Sequence, residues 1–275
     1  MVVTVLAENK ACGPTEGAHG LSLHIRTGNR SILFDFGPDG DLLRRNADAM
    51  GVDLQDVDLA ILSHGHDDHS GGLETFLRCN DHAPVYVHPL AFNPHYSHRA
   101  AGLKRISPSP ELLQRCGGRI CSVTGTREID RDLTLFSNVT QVGPIPGSNS
   151  TLFEEQNGRL IPDRFLHEQD LLIREGTKLV LVAGCAHRGI VSILHSAKEL
   201  AGRSPDAVFS GFHLTNPGLG LDEPEELVRE AGYALAGFPA RYFTGHCTGE
   251  GPFRILQGIL GERITYLGCG LRFTL

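Results

Sequence analysis

Ser63-His64-Gly65-His66-Asp67-Asp68-His69-Ser70-Gly71-Gly72 is the stretch that decides the reading of this chain. It sets four side chains able to bind a metal, His64, His66, Asp68 and His69, immediately after the apolar run from Asp58 to Leu62. Imidazole nitrogens and a carboxylate suit zinc, iron or manganese. Alternate residues leaving a strand project to one side, so His64 and His66 can share an ion. Asp68 and His69 lie far enough along to reach a second ion about 3.5–4 Å from the first, the spacing of two-metal sites. The glycines after the run let the backbone pass close to such a centre. The competing reading is a polar loop whose histidines only cap a helix. So dense a set of ligands is costly to assemble unless a cation neutralises it, and the metal reading is preferred.

Outward from this run the chain reads as alternating strands and helices. Val2 to Ala7, Leu21 to Arg26 and Ser31 to Asp35 are strand-like, the last two joined by the turn Thr27-Gly28-Asn29-Arg30. Asp39 reads as the N-cap of a helix over about Asp41 to Met50, stopped by Gly51. The second half repeats the grammar. Strands are expected at Lys178 to Ala183, Asp206 to Ser210 and Arg241 to Thr244, and helices at about Gly189 to Ala201, at Pro224 to Ala236 and from Pro252. Ile190, Ile193, Leu194 and Ala197 fall on one helical face, which predicts packing on a sheet. Alternation in both halves suggests two sheets sandwiched between helices. Residues 92–118 lack a clear period and carry several basic side chains, so this stretch reads either as a lid or substrate loop for an anionic ligand or as a surface insertion.

Composition narrows the function classes. A chain of 275 residues with 40% hydrophobic composition can bury a full core as one domain, 1–275. The formal net charge of -7 supplies no global positive field for a nucleic acid. No apolar run reaches the length of a membrane helix, and the N-terminus reads as lacking a secretory leader, so the expectation is a cytoplasmic protein with no membrane and no nucleic-acid partner. Seven cysteines, an odd number in a long chain, argue against a disulfide scaffold, and Cys185 and Cys247 stand out among them. Sequence leaves the oligomeric state open.

The metal run resembles the H-x-H-x-D-H signature of metallo-β-lactamase-fold hydrolases, and Ile32-Leu33-Phe34-Asp35-Phe36-Gly37 resembles their first motif, whose Asp supports the metal loop. The resemblance implies an α+β fold, a four-layer αββα sandwich of metallo-β-lactamase type. Ala18-His19-Gly20-Leu21-Ser22-Leu23, Glu168-Gln169, Gly184-Cys185-Ala186-His187-Arg188-Gly189-Ile190, Gly211-Phe212-His213-Leu214 and Gly245-His246-Cys247-Thr248-Gly249 narrow it. They are similar to a subgroup described as 7,8-dihydropterin-6-ylmethyl-4-(β-D-ribofuranosyl)aminobenzene-5'-phosphate synthase. These motifs are specific for ancestry and much less so for substrate.

The resemblance also implies further ligands at the ends of later strands. His246 matches the superfamily's last histidine. Cys185 stands where most relatives have a bridging Asp, although His187 can supply that donor instead, and His167 lies near the expected third histidine of the first metal. His213 resembles an active-site position suited to substrate contact or proton transfer. The expected metal set is therefore His64, His66, Asp68, His69, Cys185, His187 and His246, with Asp68 and His213 as catalytic groups and no organic cofactor. His64 and His66 with a later ligand would hold one ion, and Asp68, His69 and His246 the other.

The function so implied is a dinuclear metal-dependent hydrolase or synthase. It would use two divalent ions, zinc foremost with iron or manganese as alternatives, and metal-activated water on a small, anionic, phosphorylated substrate, pterin- or ester-like. Two other readings stand beside it. One is an iron-loaded redox protein, for which no Gly-x-Gly-x-x-Gly flavin or nucleotide motif is visible. The other is a ligand-sensing module with little turnover.

Overall fold

The computed structural model describes residues 1–216 and 218–275, with every side chain among them except those at 116 and 117. The chain is mixed α/β and gathers into two compact units, one of residues 1–95, 105–124 and 267–275 and the other of 96–104 and 125–266.

The first unit is built on a seven-stranded sheet. Its antiparallel side runs Arg272–Thr274, Val2–Ala7, Ser22–Arg26 and Ser31–Phe34, and its parallel side continues through Leu59–Ile61, Val85–Val87 and Ile120–Ser122. The turn at Thr27 closes as expected, with the Thr27 N–H donating to the Arg30 carbonyl at 2.9 Å. Helix Gly40–Ala49 is capped by Asp39, which accepts from the Leu42 N–H at 2.8 Å. Its buried Leu43 and Ala47 join a core that includes Leu33, Phe36 and Phe76, with the two phenylalanine rings 5.4 Å apart. Each large apolar side chain buried this way contributes about 1.5–3 kcal/mol. The consequence for function lies at the carboxyl ends of Ser31–Phe34 and Leu59–Ile61. These strands are parallel neighbours, and the Asp35 N–H donates to the Ile61 carbonyl at 2.9 Å, so Asp35 stands beside the start of the metal run.

The second unit has its own seven-stranded sheet. Arg127–Glu128, Leu133–Phe136, Asp170–Glu175 and Lys178–Val182 pair antiparallel, and from Lys178–Val182 the sheet continues in parallel through Ala207–Phe209, Arg241–Thr244 and Ile264–Tyr266. Helices Ile190–Ala201, Glu225–Ala236 and Glu250–Leu260 connect the parallel strands, the arrangement that parallel pairing requires. Ile190, Ile193, Leu194 and Ala197, the face read from periodicity, are all buried. The last helix starts at Glu250 and not at Pro252, because Gly249, with φ at 77°, turns the chain into it two residues earlier. The stretch 92–118 is more regular than its sequence suggests. It contains strands His95–Arg99 and Gly102–Arg105, which join Leu152–Gln156 and Arg159–Pro162 in a four-stranded sheet, and helix Pro110–Cys116. Among the described residues no helix is long and apolar enough to cross a membrane.

Candidate metal centre

In the first unit the run from Ser63 is held from below by Asp35, whose backbone takes φ 61°, a conformation costly for a residue with a side chain. Asp35 is fully buried, and its carboxylate accepts from the Ser63 N–H, the Ser63 hydroxyl and His69 Nδ1, each at 2.7 Å. These contacts determine which ring nitrogens carry protons. His69 must donate from Nδ1, leaving a lone pair at Nε2. The Ser63 hydroxyl proton is used on Asp35, so its oxygen accepts at 2.9 Å from His64 Nδ1, which leaves the lone pair of His64 at Nε2. His64 Nε2 lies 3.1 Å from His66 Nδ1. Two imidazole nitrogens on one tetrahedral zinc are about 3.3 Å apart, so the pair is spaced to share an ion.

The rings of His64 and His69 have centroids 4.2 Å apart, and those of His64 and His66 are 4.5 Å apart. All three are buried. Asp68 and His69 sit on the short helix Asp67–Ser70, and Asp68 Oδ2 is 3.9 Å from His69 Nε2. The same oxygen is 3.2 Å from His19 Nε2. His19 carries no assignment from its own position in the sequence, although it lies within the quoted segment Ala18 to Leu23. Close backbone packing explains the glycines. A Cβ at Gly65 would fall 2.1 Å from the Ala91 carbonyl oxygen, and one at Gly71 would fall 2.0 Å from that of Pro38.

In the second unit the expected donors follow the parallel strands. Cys185 and His187 come after Lys178–Val182, His213 after Ala207–Phe209, and His246 after Arg241–Thr244. His213 is not a strand residue. The strand ends at Phe209, and His213 sits in the following loop at φ 47°. One donor atom each from Cys185, His213 and Cys247 lies within 4.8 Å of the others, and all three residues are buried. Burial pushes the Cys247 thiol up, but its contacts with Cys185 and His213 and the charges of His246 and His213 outweigh this and hold it well below the usual thiol range.

His187 is clamped at ring and backbone. Asn149 Nδ2 donates to the His187 carbonyl at 2.8 Å, which turns Asn149 Oδ1 toward His187 Nδ1 at 2.9 Å. That orientation places the imidazole proton on Nδ1 and the lone pair on Nε2. The Phe165 ring stacks on the imidazole with centroids 4.4 Å apart and planes 4° from parallel. The buried Glu168 carboxylate accepts from the backbone N–H groups of His187 at 2.7 Å and Arg188 at 3.0 Å. Burial pushes its pKa up to about 7 despite those bonds. His167 Nε2 is 3.3 Å from Asp163 Oδ2. Asn149 and Phe165 were not legible as site residues, since each acts on His187 from far along the chain, whereas Asp163, a carboxylate four residues before His167, was overlooked at a spacing that the sequence does show.

The donors fit divalent ions of the zinc and iron class. Buried imidazoles in the first unit are held so that they offer lone pairs, and the second unit adds thiols and imidazoles. The model of the metallo-beta-lactamase superfamily matches residues 17–269. The chain belongs to that superfamily. A protein of Methanocaldococcus jannaschii named 7,8-dihydropterin-6-methyl-4-(beta-D-ribofuranosyl)-aminobenzene-5'-phosphate synthase is 28% identical, over 90% of this chain and 87% of its own length. Tm1679, described as a metal-dependent hydrolase of the beta-lactamase superfamily, has a solved structure that covers 100% of this chain and 99% of its own, with TM-score 0.83 and 26% identity. Zn(2+)-bound PqqB from Methylobacterium extorquens shares the fold over 100% of both chains, with TM-score 0.61 and 16% identity. The fold is that of the superfamily, as the metal run and the Asp35 motif imply, and the chain carries the residues for metal binding.

Proposed function

We propose that this superfamily member is a dinuclear metal-dependent hydrolase or synthase acting on a small phosphorylated substrate, pterin- or ester-like. The observation that carries the reading is the hydrogen-bond network under the metal run, in which Asp35 and Ser63 leave the lone pairs of His64 and His69 at Nε2. The proposed ligands are His64, His66, Asp68 and His69 with Cys185, His187 and His246, and zinc is the proposed ion. Bound ions would supply Lewis acidity toward a phosphoryl, carbonyl or pyrophosphate oxygen and make hydroxide available near neutral pH.

The chain's own groups do the rest. Asp35 fixes the tautomer and orientation of His69, and Asn149 does the same for His187. Asp68 is the proposed proton acceptor, and His213 the proposed substrate contact through a ring N–H. The N-terminal end of helix Ile190–Ala201, shortly past His187, offers backbone N–H groups and a positive dipole end to an anionic group. The similarity to the synthase of M. jannaschii supports a pterin-like substrate, and the similarity to Tm1679 supports a hydrolase.

The test joins metal analysis of the purified protein to a screen of phosphate esters, lactones and thioesters. Turnover is expected with at least one phosphorylated compound, and His64→Ala/His66→Ala is expected to lose metal from this site and turnover together. Full activity in that double variant would overturn the reading.

A further inference from the structure

The second unit holds a sulfur-rich cluster of Cys185, His213 and Cys247, of which the reading above leaves Cys247 unused. Lys178–Val182, Ala207–Phe209 and Arg241–Thr244 are adjacent parallel strands in register, with Val182 opposite Phe209 and Phe209 opposite Phe243. Their carboxyl ends are therefore level, and the loops leaving them emerge side by side, where ligands bind in sheets of this kind. Cys185, His213 and Cys247 each come from one of these loops, three to four residues past those aligned positions.

The loops are stitched to one another. The Gly211 N–H donates to the Gly184 carbonyl at 2.8 Å, the Phe212 N–H to Thr248 Oγ1 at 2.9 Å, and the His213 N–H to Cys247 Sγ at 3.3 Å. Ser148 Oγ donates to the His213 carbonyl at 2.6 Å and fixes the loop from the other side. Room for the sulfur depends on a missing side chain, because a Cβ at Gly211 would lie 2.5 Å from Cys247 Sγ.

An independent observation points to a ligand there. His213 is 6% exposed, and beyond its contact with the Cys247 thiol neither of its ring nitrogens has a hydrogen-bond partner among the described residues. Leaving a buried polar group unpaired costs about 1–3 kcal/mol, and holding a residue other than glycine at positive φ adds to that cost. Structure alone does not recover either cost, whereas a cation accepting one ring nitrogen would. The other nitrogen keeps its proton and remains available for the substrate contact assigned to it.

We propose that Cys185 Sγ, Cys247 Sγ and one ring nitrogen of His213 form a further metal site, selective for a zinc-class ion and contained within the second unit. Two sulfurs and an imidazole are a donor set that zinc favours over oxygen-seeking ions such as magnesium. Cys185 is the one residue this site shares with the ligands named above. The site does not require His64, His66, Asp68 or His69.

The experiment uses the full chain carrying His64→Ala/His66→Ala, loaded with one equivalent of zinc and examined by X-ray absorption at the zinc edge. The expected result is retained zinc with two sulfur neighbours at about 2.3 Å and at least one imidazole nitrogen. No retained zinc, or zinc with fewer than two sulfur neighbours, would overturn the proposal. As a second measurement in the otherwise unaltered chain, Cys247→Ser is expected to lower the sulfur-to-cobalt charge-transfer absorption of the cobalt-loaded protein about twofold, as two thiolates become one. Unchanged absorption in that variant would equally overturn it. Failure of the hydrolase or synthase reading would appear elsewhere, as full turnover in His64→Ala/His66→Ala, so the two outcomes are separable.

Discussion

The donor cluster of the first unit and that of the second reach similar chemistry by opposite routes. His64, His66, Asp68 and His69 come from one short run, and Asp35 beneath them is a neighbour through strand pairing. Cys185, His213 and Cys247 are separated by long stretches of chain and meet because three parallel strands end level. The first arrangement is local, so its geometry depends on one loop and the carboxylate that ties it down. The second is topological, so its geometry depends on sheet register and on small residues such as Gly211.

That contrast breaks most easily at Asp35. Asp35→Ala strips the acceptor from the Ser63 N–H, the Ser63 hydroxyl and His69 Nδ1 at once. We expect a loss of about 3 kcal/mol or more in denaturant unfolding, because each group stays buried without a partner. Metal affinity should fall about 10–100-fold in the same variant, as for other residues that orient metal ligands. Wild-type stability in Asp35→Ala would show that the loop holds itself.

Away from both donor clusters, His24 offers a measure of burial without metal chemistry. It is buried and hydrogen-bonded to Ser31 Oγ at 2.9 Å, and burial, with Arg26 and Arg272 adding to it, lowers its pKa to about 4. The fold therefore favours the neutral ring. Its contribution is fully present above about pH 6.5, where the unfolded chain is also neutral, and is lost as pH falls through 4. The expected loss across that window is about 3 kcal/mol in the unfolding free energy. His24→Gln should flatten this part of the pH profile, and an unaltered slope would assign it to another group.

Asn149 sharpens the comparison from the second unit. Asn149→Ala frees the His187 ring to change tautomer, and we expect metal bound through His187 to weaken about tenfold or more, read by competition with a chelator. Asn149→Asp keeps the acceptor for Nδ1 and should be milder. Equal affinity in both variants and the parent would remove His187 from the ligand set. The smallest effect is expected at the cap of helix Gly40–Ala49. Asp39→Ala should cost about 1 kcal/mol in thermal or denaturant unfolding and leave metal content unchanged.

What the sequence determined by itself was local. The strand at Val2–Ala7, the cap at Asp39, the apolar face of Ile190, Ile193, Leu194 and Ala197, and the density of ligands between His64 and His69 are written in neighbouring residues, because side-chain periodicity and capping act over one or two turns. Strand Leu133–Phe136 was not anticipated, since its run is short and its partner Asp170–Glu175 lies far along the chain. The pairings that select tautomers were hidden for the same reason. Asn149 meets His187, and Cys247 meets Cys185, only once the chain has folded. Sequence spacing says which atoms are able to donate. Which of them share a neighbourhood, and which nitrogen of each ring faces it, was decided by sheet register and by the buried hydrogen bonds that register brings within reach.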